Sequence, residues 1–247
     1  MTETTHEALL RQTAAAEGLL TYFQGVRGDI EQDRANMRGQ VNAFTEDVRD
    51  ATFTRLYVNR LNGDDTASGT SDDPIASFGE AVSRAPEGGL LEIRLTGNMV
   101  MDRRVVLKSG TVHIRSDDTT VHRRIVFEGE DLNDLSAMPR FFAPYVGVGI
   151  LFNAVEFVAG TSTANVTDAR HMITCNGLTN VVLRDCQFEV PGGSDQALLG
   201  LAHGGGLGLH STLAPTAMDG RWVEGVAAGT DPSTVQSLAW ANNISSL

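Results

Sequence analysis

Asp117, Glu128 and Asp185 are carboxylates beside short apolar segments that read as strands, and Asp118 and Glu189 stand in similar places. Two carboxylates roughly 5 to 9 Å apart can hydrolyse a glycosidic bond, and a base beside a charge-neutralising cation can carry out an elimination. Nothing in the spacing fixes which of these groups share a face. Solvated charges on strand rims leave the same signature.

A second acidic group lies in "GDDTASGTSDDP", residues 63–74, where Asp64, Asp65, Asp72 and Asp73 stand among Ser and Thr oxygens. Such a donor set suits a calcium ion, although the order of ligands is not that of an EF-hand. A hydrated turn with Asp73 as a helix cap accounts for the same residues. His203 followed by Gly204, Gly205 and Gly206 resembles the oxyanion loop of esterases, but no Gly-x-Ser-x-Gly elbow supplies a nucleophile. No cofactor is expected.

The elements that would carry these groups divide the chain into residues 1–52, 53–89 and 90–247. In the first, spacings of three and four place Leu20, Phe23, Ile30, Met37, Val41, Phe44 and Val48 on one narrow seam that begins near Leu9. A stripe this narrow cannot bury itself in a single helix, so a homo-oligomer is expected. Arg27 and Arg34 interrupt the seam, and Gly25, Gly28 and Gly39 predict a break or bend between Gly25 and Gly39.

Residues 53–89 read as a strand, "FTRLYV", then the polar loop, then a short helix. Asp73 is the expected N-cap and Pro74 the first helical residue, with Phe78, Ala81 and Val82 on the buried face. From Leu90 onward short apolar strands alternate with turns: "LLEIRLTG", "RRVVLKSG", "TVHIRS", "RRIVFEG", "GILFNAVEFVAG" and "NVVLRDCQFEV". Laying Phe157 on Phe188 pairs Ile150 with Val181, Leu151 with Val182 and Phe152 with Leu183, an offset of 31 residues. Successive strands without long helices between them suit a solenoid of stacked coils. The glycine-rich tail either winds on or caps the end, with Leu238 and Trp240 available to close it.

The totals exclude some classes. A net charge of -12 repels a phosphate backbone over most of the surface, so nucleic acid is not an expected partner. The most apolar window, residues 141–160, contains Pro144, Asn153 and Glu156 and is rich in Val, Ile and Phe, which predicts buried strands and no membrane span. Cys175 and Cys186 are too few for a disulfide framework. The acidic, polar start lacks the pattern of a secretory signal, so synthesis in a cytoplasm is expected.

The run "LYVNRLNGDDTASGTSDDPIASFGEAVSRAPEGGLLEIRL", residues 56–95, resembles the opening segment of right-handed parallel β-helix proteins of the pectin-lyase-like class, particularly those of bacteriophage tailspikes and tail fibres. The resemblance rests on Tyr57-Val58-Asn59, the polar loop, Asp73-Pro74, Phe78, Ala81, Ala85-Pro86 and Gly88-Gly89. It implies a mainly β chain with an N-terminal coiled coil and a short right-handed β-helix whose first coil is capped by a helix. It also implies a homotrimeric virion protein that attaches to other virion proteins through its N-terminal segment and presents a β-helix to host-surface polysaccharide. A polysaccharide depolymerase and a head spike or baseplate connector share these features.

Overall fold

The computed structural model describes residues 5–108, 110–128, 139–144, 147–160, 171–189, 197–201, 207–211, 230–234 and 238–242. The chain divides into two compact units, Met1–Asp50 and Ala51–Leu247. Among the described residues, the first is a single helix and the second is built on parallel β-sheets.

Helix α1, Thr5–Thr52, runs for 48 residues. Leu20, Phe23, Ile30, Met37, Val41, Phe44 and Val48 are all exposed, from 45% at Val48 to 68% at Phe44. The break expected between Gly25 and Gly39 does not occur. A side chain at Gly25, Gly28 or Gly39 would meet nothing within 4 Å, so no tertiary contact exploits the missing Cβ. Each glycine costs about 1 kcal/mol, a local penalty that cooperative propagation through the flanking turns absorbs. Arg27, on the seam in sequence, turns its Nε to Glu31 Oε1 at 2.9 Å along the helix surface.

The strands of the second unit are β1 Phe53–Val58, β2 Leu90–Leu95, β3 Met99–Met101, β4 Arg104–Val106, β5 Thr111–Ser116, β6 Arg123–Phe127, β7 Arg140–Ala143 and β8 Val148–Asn153. They continue with β9 Val155–Val158, β10 His171–Cys175, β11 Thr179–Arg184, β12 Gln187–Glu189, β13 Ala197–Leu201, β14 Leu207–Ser211 and β15 Leu238–Asn242. Three sheets result. The first has the order β1-β2-β5-β8-β11-β14-β15, the second β12-β9-β6-β3 and the third β13-β10-β7-β4. Every ladder between them is parallel. From β2 to β13 the chain visits the first, second and third sheets in that repeating order, and it then returns to the first for β14.

The sequence register between β8 and β11 is the one observed. Ile150 pairs with Val181, Leu151 with Val182, Phe152 with Leu183, and in the second sheet Phe157 pairs with Phe188. The glycine-rich tail contributes β13, β14 and β15, so it winds on through the described residues. The window 141–160 forms β8, β9 and most of β7, and no helix among the described residues is long and apolar enough to cross a membrane.

Alternation along each strand sends one set of side chains inward. Phe127, Phe141, Phe152 and Phe157 are fully buried, and Phe152 and Phe157 meet edge to face at 4.8 Å. Helix α2, Phe78–Ser83, lays Phe78, Ala81 and Val82 on this core and touches β1 and β4. The Phe78 ring reaches Phe141 at 5.3 Å.

The start of α2 corrects the sequence reading. Its N-cap is Ser77, whose Oγ accepts from Glu80 N at 3.2 Å, and neither Asp73 nor Pro74 belongs to it. Ile75 is drawn instead into extended pairing with β1, its N–H donating to Tyr57 O at 3.0 Å and its carbonyl accepting from Asn59 N at 2.9 Å. These two ladder bonds satisfy backbone groups beside the buried Val58, and they hold Ile75 itself wholly buried. Expected on this basis, Phe78→Ala lowers stability by about 3–5 kcal/mol and Ser77→Ala by about 1 kcal/mol in urea unfolding of the full chain.

Candidate functional site

Three of the four aspartates of the polar loop, Asp64, Asp65 and Asp73, fold it onto itself. Asp64 Oδ1 accepts from Thr66 Oγ1 and N, both at 2.7 Å, and these bonds hold its carboxyl below the usual carboxylate range. Asp73 Oδ2 accepts from Ser68 N at 2.7 Å and Oγ at 2.8 Å, with the same effect. Asp65 reaches across the loop to Ala76 N, Ser77 N and Ser77 Oγ at 2.8–3.0 Å. Asp72 accepts only a long contact from Ser71 Oγ at 3.4 Å. Arg84, at the far end of α2, returns to the loop through the carbonyls of Ala67 and Asp65 at 2.6 and 2.7 Å. Three of the four carboxylates thus accept hydrogen bonds from the loop and the helix start, and among the described residues no cluster of His, Cys, Asp and Glu has metal-holding geometry.

Asp117 and Asp185 both follow strands of the first sheet, at the corner where the chain turns toward the second, with β8 between β5 and β11. His122 and Arg123, at the start of β6, connect them. Arg123 Nη2 lies 3.3 Å from Asp117 Oδ1, and His122 Nε2 lies 3.3 Å from Asp185 Oδ1 and 2.8 Å from the Asp185 carbonyl. Asp185 adopts a φ of 48°, the left-handed region in which a short polar side chain is favoured. Glu128, exposed just after β6, is not part of this corner. Glu189 pairs instead with Arg124, which also holds Glu156 at 3.2 Å.

The outward face of the first sheet carries a different constellation. Parallel register aligns Arg55, Glu92, His113, Leu151 and Val182 in one row, and Tyr57, Arg94, Arg115, Asn153 and Arg184 in the next. Glu92 is the one carboxylate at the outward positions of β1, β2, β5, β8 and β11, against four arginines. Its side chain is only 8% exposed and accepts from Arg55 Nε at 2.7 Å and Arg94 Nε at 3.0 Å, with Arg115 Nη1 at 3.9 Å. Burial alone would raise the Glu92 carboxyl, but the hydrogen bonds from Arg55 and Arg94 outweigh it and hold the group below its ordinary value. Arg94 also lies over the Tyr57 ring at 5.8 Å. Arg184 is exposed and forms no ion pair among the described residues. His113 is lowered chiefly by burial; Glu92 opposes that effect, whereas Arg115, Arg184 and Arg94 reinforce it.

A cleft of about 300 Å³ beside α2, lined in part by Arg60, Phe78, Asp102 and Arg103, is another concavity near charged groups. Its charges are of both signs, Asp65, Glu80 and Asp102 against Arg60 and Arg103, with Asp102 held by Arg60 and Arg103 at 3.3 and 3.2 Å. The arginine row has no such balance.

The sequence reading did not single out Arg94, Arg115 or Arg184, but the signal exists: "EIRL", "HIRS" and "VLRD" each place an arginine directly after an apolar residue near a strand end. Comparison of the chain with protein-family models, with curated proteins and with solved structures gave no match.

The Glu92 site fixes a pH dependence. Unfolded His113 takes up a proton near pH 6.5, whereas its folded pKa lies lower, so its stabilising contribution is full above that pH and declines as pH falls. Glu92 has the same sign at lower pH, its contribution being lost as pH falls through the depressed folded value. The thermal midpoint is therefore expected to fall between about pH 7.5 and about pH 5.5, and His113→Gln to flatten that decline. Glu92→Gln is expected to cost roughly 1.5–3 kcal/mol at neutral pH, read by urea unfolding.

Proposed function

We propose that this chain is a structural virion protein of a tailed bacteriophage or phage-like particle, a homotrimeric fibre or spike. On this reading residues 1–52 hold the copies together and attach them to the particle, and the β unit is a short right-handed parallel β-helix that faces a host surface. The observation that carries the proposal is the uncovered seam of α1. Seven large apolar side chains, Leu20 to Val48, stay 45–68% exposed along a continuous helix. Soluble chains cover a stripe of this kind, and the cheapest cover is a second and third copy related by closed symmetry.

The cyclic visit to three parallel sheets supports the β-helix half of the proposal, because each round of strands packs its inward side chains both against one another and against those of the neighbouring rounds. α2 then serves as the cap of the first coil, occupying the end where β1 and β4 are edge strands. The trimeric number and the virion setting rest on the resemblance of residues 56–95 to tailspikes and tail fibres.

One observation favours the depolymerase reading: His122 and Arg123 hold Asp185 and Asp117 at a single corner, a carboxylate–histidine pair beside a carboxylate–arginine pair. Sustained release of new sugar ends from host polysaccharide, abolished by Asp185→Asn, is the result that would favour it over a binding-only spike.

Light scattering of the full-length protein tests the main proposal. A stable trimer is expected, and Ile30→Asp together with Phe44→Asp is expected to disperse it, because each buries an unpartnered charge in the seam. A wild-type chain that stays monomeric at high concentration would remove the fibre reading.

A further inference from the structure

We propose that the outward face of the first sheet is a binding strip for an acidic, uronate-bearing polysaccharide, with Arg94, Arg115 and Arg184 as its anion-holding groups. This deepens the host-surface reading above and rests on it.

Three observations carry the inference. The outward positions of β1, β2, β5, β8 and β11 hold Arg55, Arg94, Arg115 and Arg184 against Glu92 alone. Counting His113 as neutral, the face carries a surplus of three positive charges on a chain whose total is -12. Like charges on neighbouring strands are destabilising, so such a row is not what stability alone would select. Glu92 offsets part of the repulsion for Arg55, Arg94 and Arg115 but leaves Arg184 without an ion pair among the described residues.

The geometry fits a polymer better than a small anion. Arg94, Arg115, Asn153 and Arg184 lie in one register row on four successive strands, each about 4.8 Å from the next. A row of this kind meets charges repeated along an extended chain, and a guanidinium fork matches a carboxylate through two parallel hydrogen bonds. Asn153 and Asn180 add amide donors and acceptors on the same face, and Thr111 adds a hydroxyl. Tyr57 offers an aromatic ring at one end.

A nucleic acid meets the same arginines but suits the molecule less well. Its evenly charged backbone would extend past the strip on a chain whose total charge is -12, and among the outward residues of β1, β2, β5, β8 and β11 only Phe53 and Tyr57 offer a phenyl ring on which bases could stack. An acidic patch on another copy of this chain is the remaining occupant, and the experiment separates it.

The test is equilibrium binding of full-length protein to hyaluronate and to alginate, with neutral dextran and a random-sequence single-stranded DNA as comparators, at low and at physiological salt. The oligomeric state is measured by light scattering on the same samples. Binding to at least one uronate polymer, weakened by salt and absent with dextran, is expected. Arg115→Gln and Arg184→Gln are each expected to lower affinity roughly ten-fold, while Arg103→Gln, an exposed arginine at the β3–β4 corner, leaves it unchanged. Arg184→Gln breaks no ion pair among the described residues, so an unchanged thermal midpoint separates lost binding from lost folding.

No binding to either uronate polymer, equal binding of dextran, tighter binding of DNA, or an equal loss in Arg103→Gln would each overturn the proposal. So would dissociation of the oligomer by Arg184→Gln, which would make the strip a contact between copies. A trimer that binds no polyanion removes the strip and leaves the fibre reading in place. A monomer that binds uronate does the reverse.

Discussion

The second unit depends on one constraint: parallel strands held in register, so that each inward side chain stacks on its equivalents in the strands above and below. Leu56, Ile93, Ile114, Phe152 and Leu183 form such a column in the first sheet. Met99, Ile125, Phe157 and Phe188 build another in the second sheet. Where the columns meet, Phe127, Phe141, Phe152 and Phe157 fill the interior with edge, tilted and stacked ring contacts between 4.8 and 6.5 Å. No strand is buried by its own round of the chain alone, so stability is shared between neighbours and the first strands need a cover. Helix α2, which the opening loop leads into, lies against β1 and β4. Asp65 and Arg84 bind the loop to the two ends of α2, and α2 in turn places Phe78 against Phe141.

The same register that orders the interior imposes order on the exterior. Once Ile93, Ile114, Phe152 and Leu183 are aligned, the residues that follow them in sequence are aligned as well, which brings Arg94, Arg115, Asn153 and Arg184 into a row. In a helix or an irregular loop these side chains would diverge; in a parallel ladder they are held about one strand spacing apart. Glu92 is the counterweight where the arginines are closest, and the uncharged Asn153 separates Arg115 from Arg184. The corner that follows is formed by the same logic, with Ser116 Oγ donating to Ala154 O at 2.6 Å and accepting from Arg123 N at 3.0 Å.

Much of this is legible in the sequence where one signal acts alone. Helix α1 follows from spacing, β1 from "FTRLYV", and the register of β8 on β11 from the match of Phe157 to Phe188. The wider repeat is hidden because its rounds differ in length: β2 and β5 are offset by 21 residues, β5 and β8 by 38, β11 and β14 by 28. Strand β3, "MVM", is too short to show alternation, and β10, "HMITC", is buried at every residue and so has no polar face to alternate with. The start of α2 reads wrongly because Asp73-Pro74 has the chemistry of a helix start, while the pairing of Ile75 with β1 is a tertiary effect that no local pattern encodes. The corner of Asp117 and Asp185 is half legible: both residues stand out as carboxylates at strand ends, but His122 and Arg123, which join them, come from a different strand.

Each unit is incomplete in a complementary way. The helix has an apolar seam that a single copy leaves in water, and the β unit has a charged row on the outward face of its first sheet. Ionic contacts on an open surface are individually weak and screened by salt. On the fibre reading proposed above, joining several copies through α1 would change that balance without adding a contact to any one strip, since a polymer held by one copy would be presented to the next at an effective concentration set by the geometry of the assembly. On that reading a modest strip would be sufficient provided the copies stay together, and the exposed residues from Leu20 to Val48 would matter to surface recognition as much as the arginines that would touch the polymer.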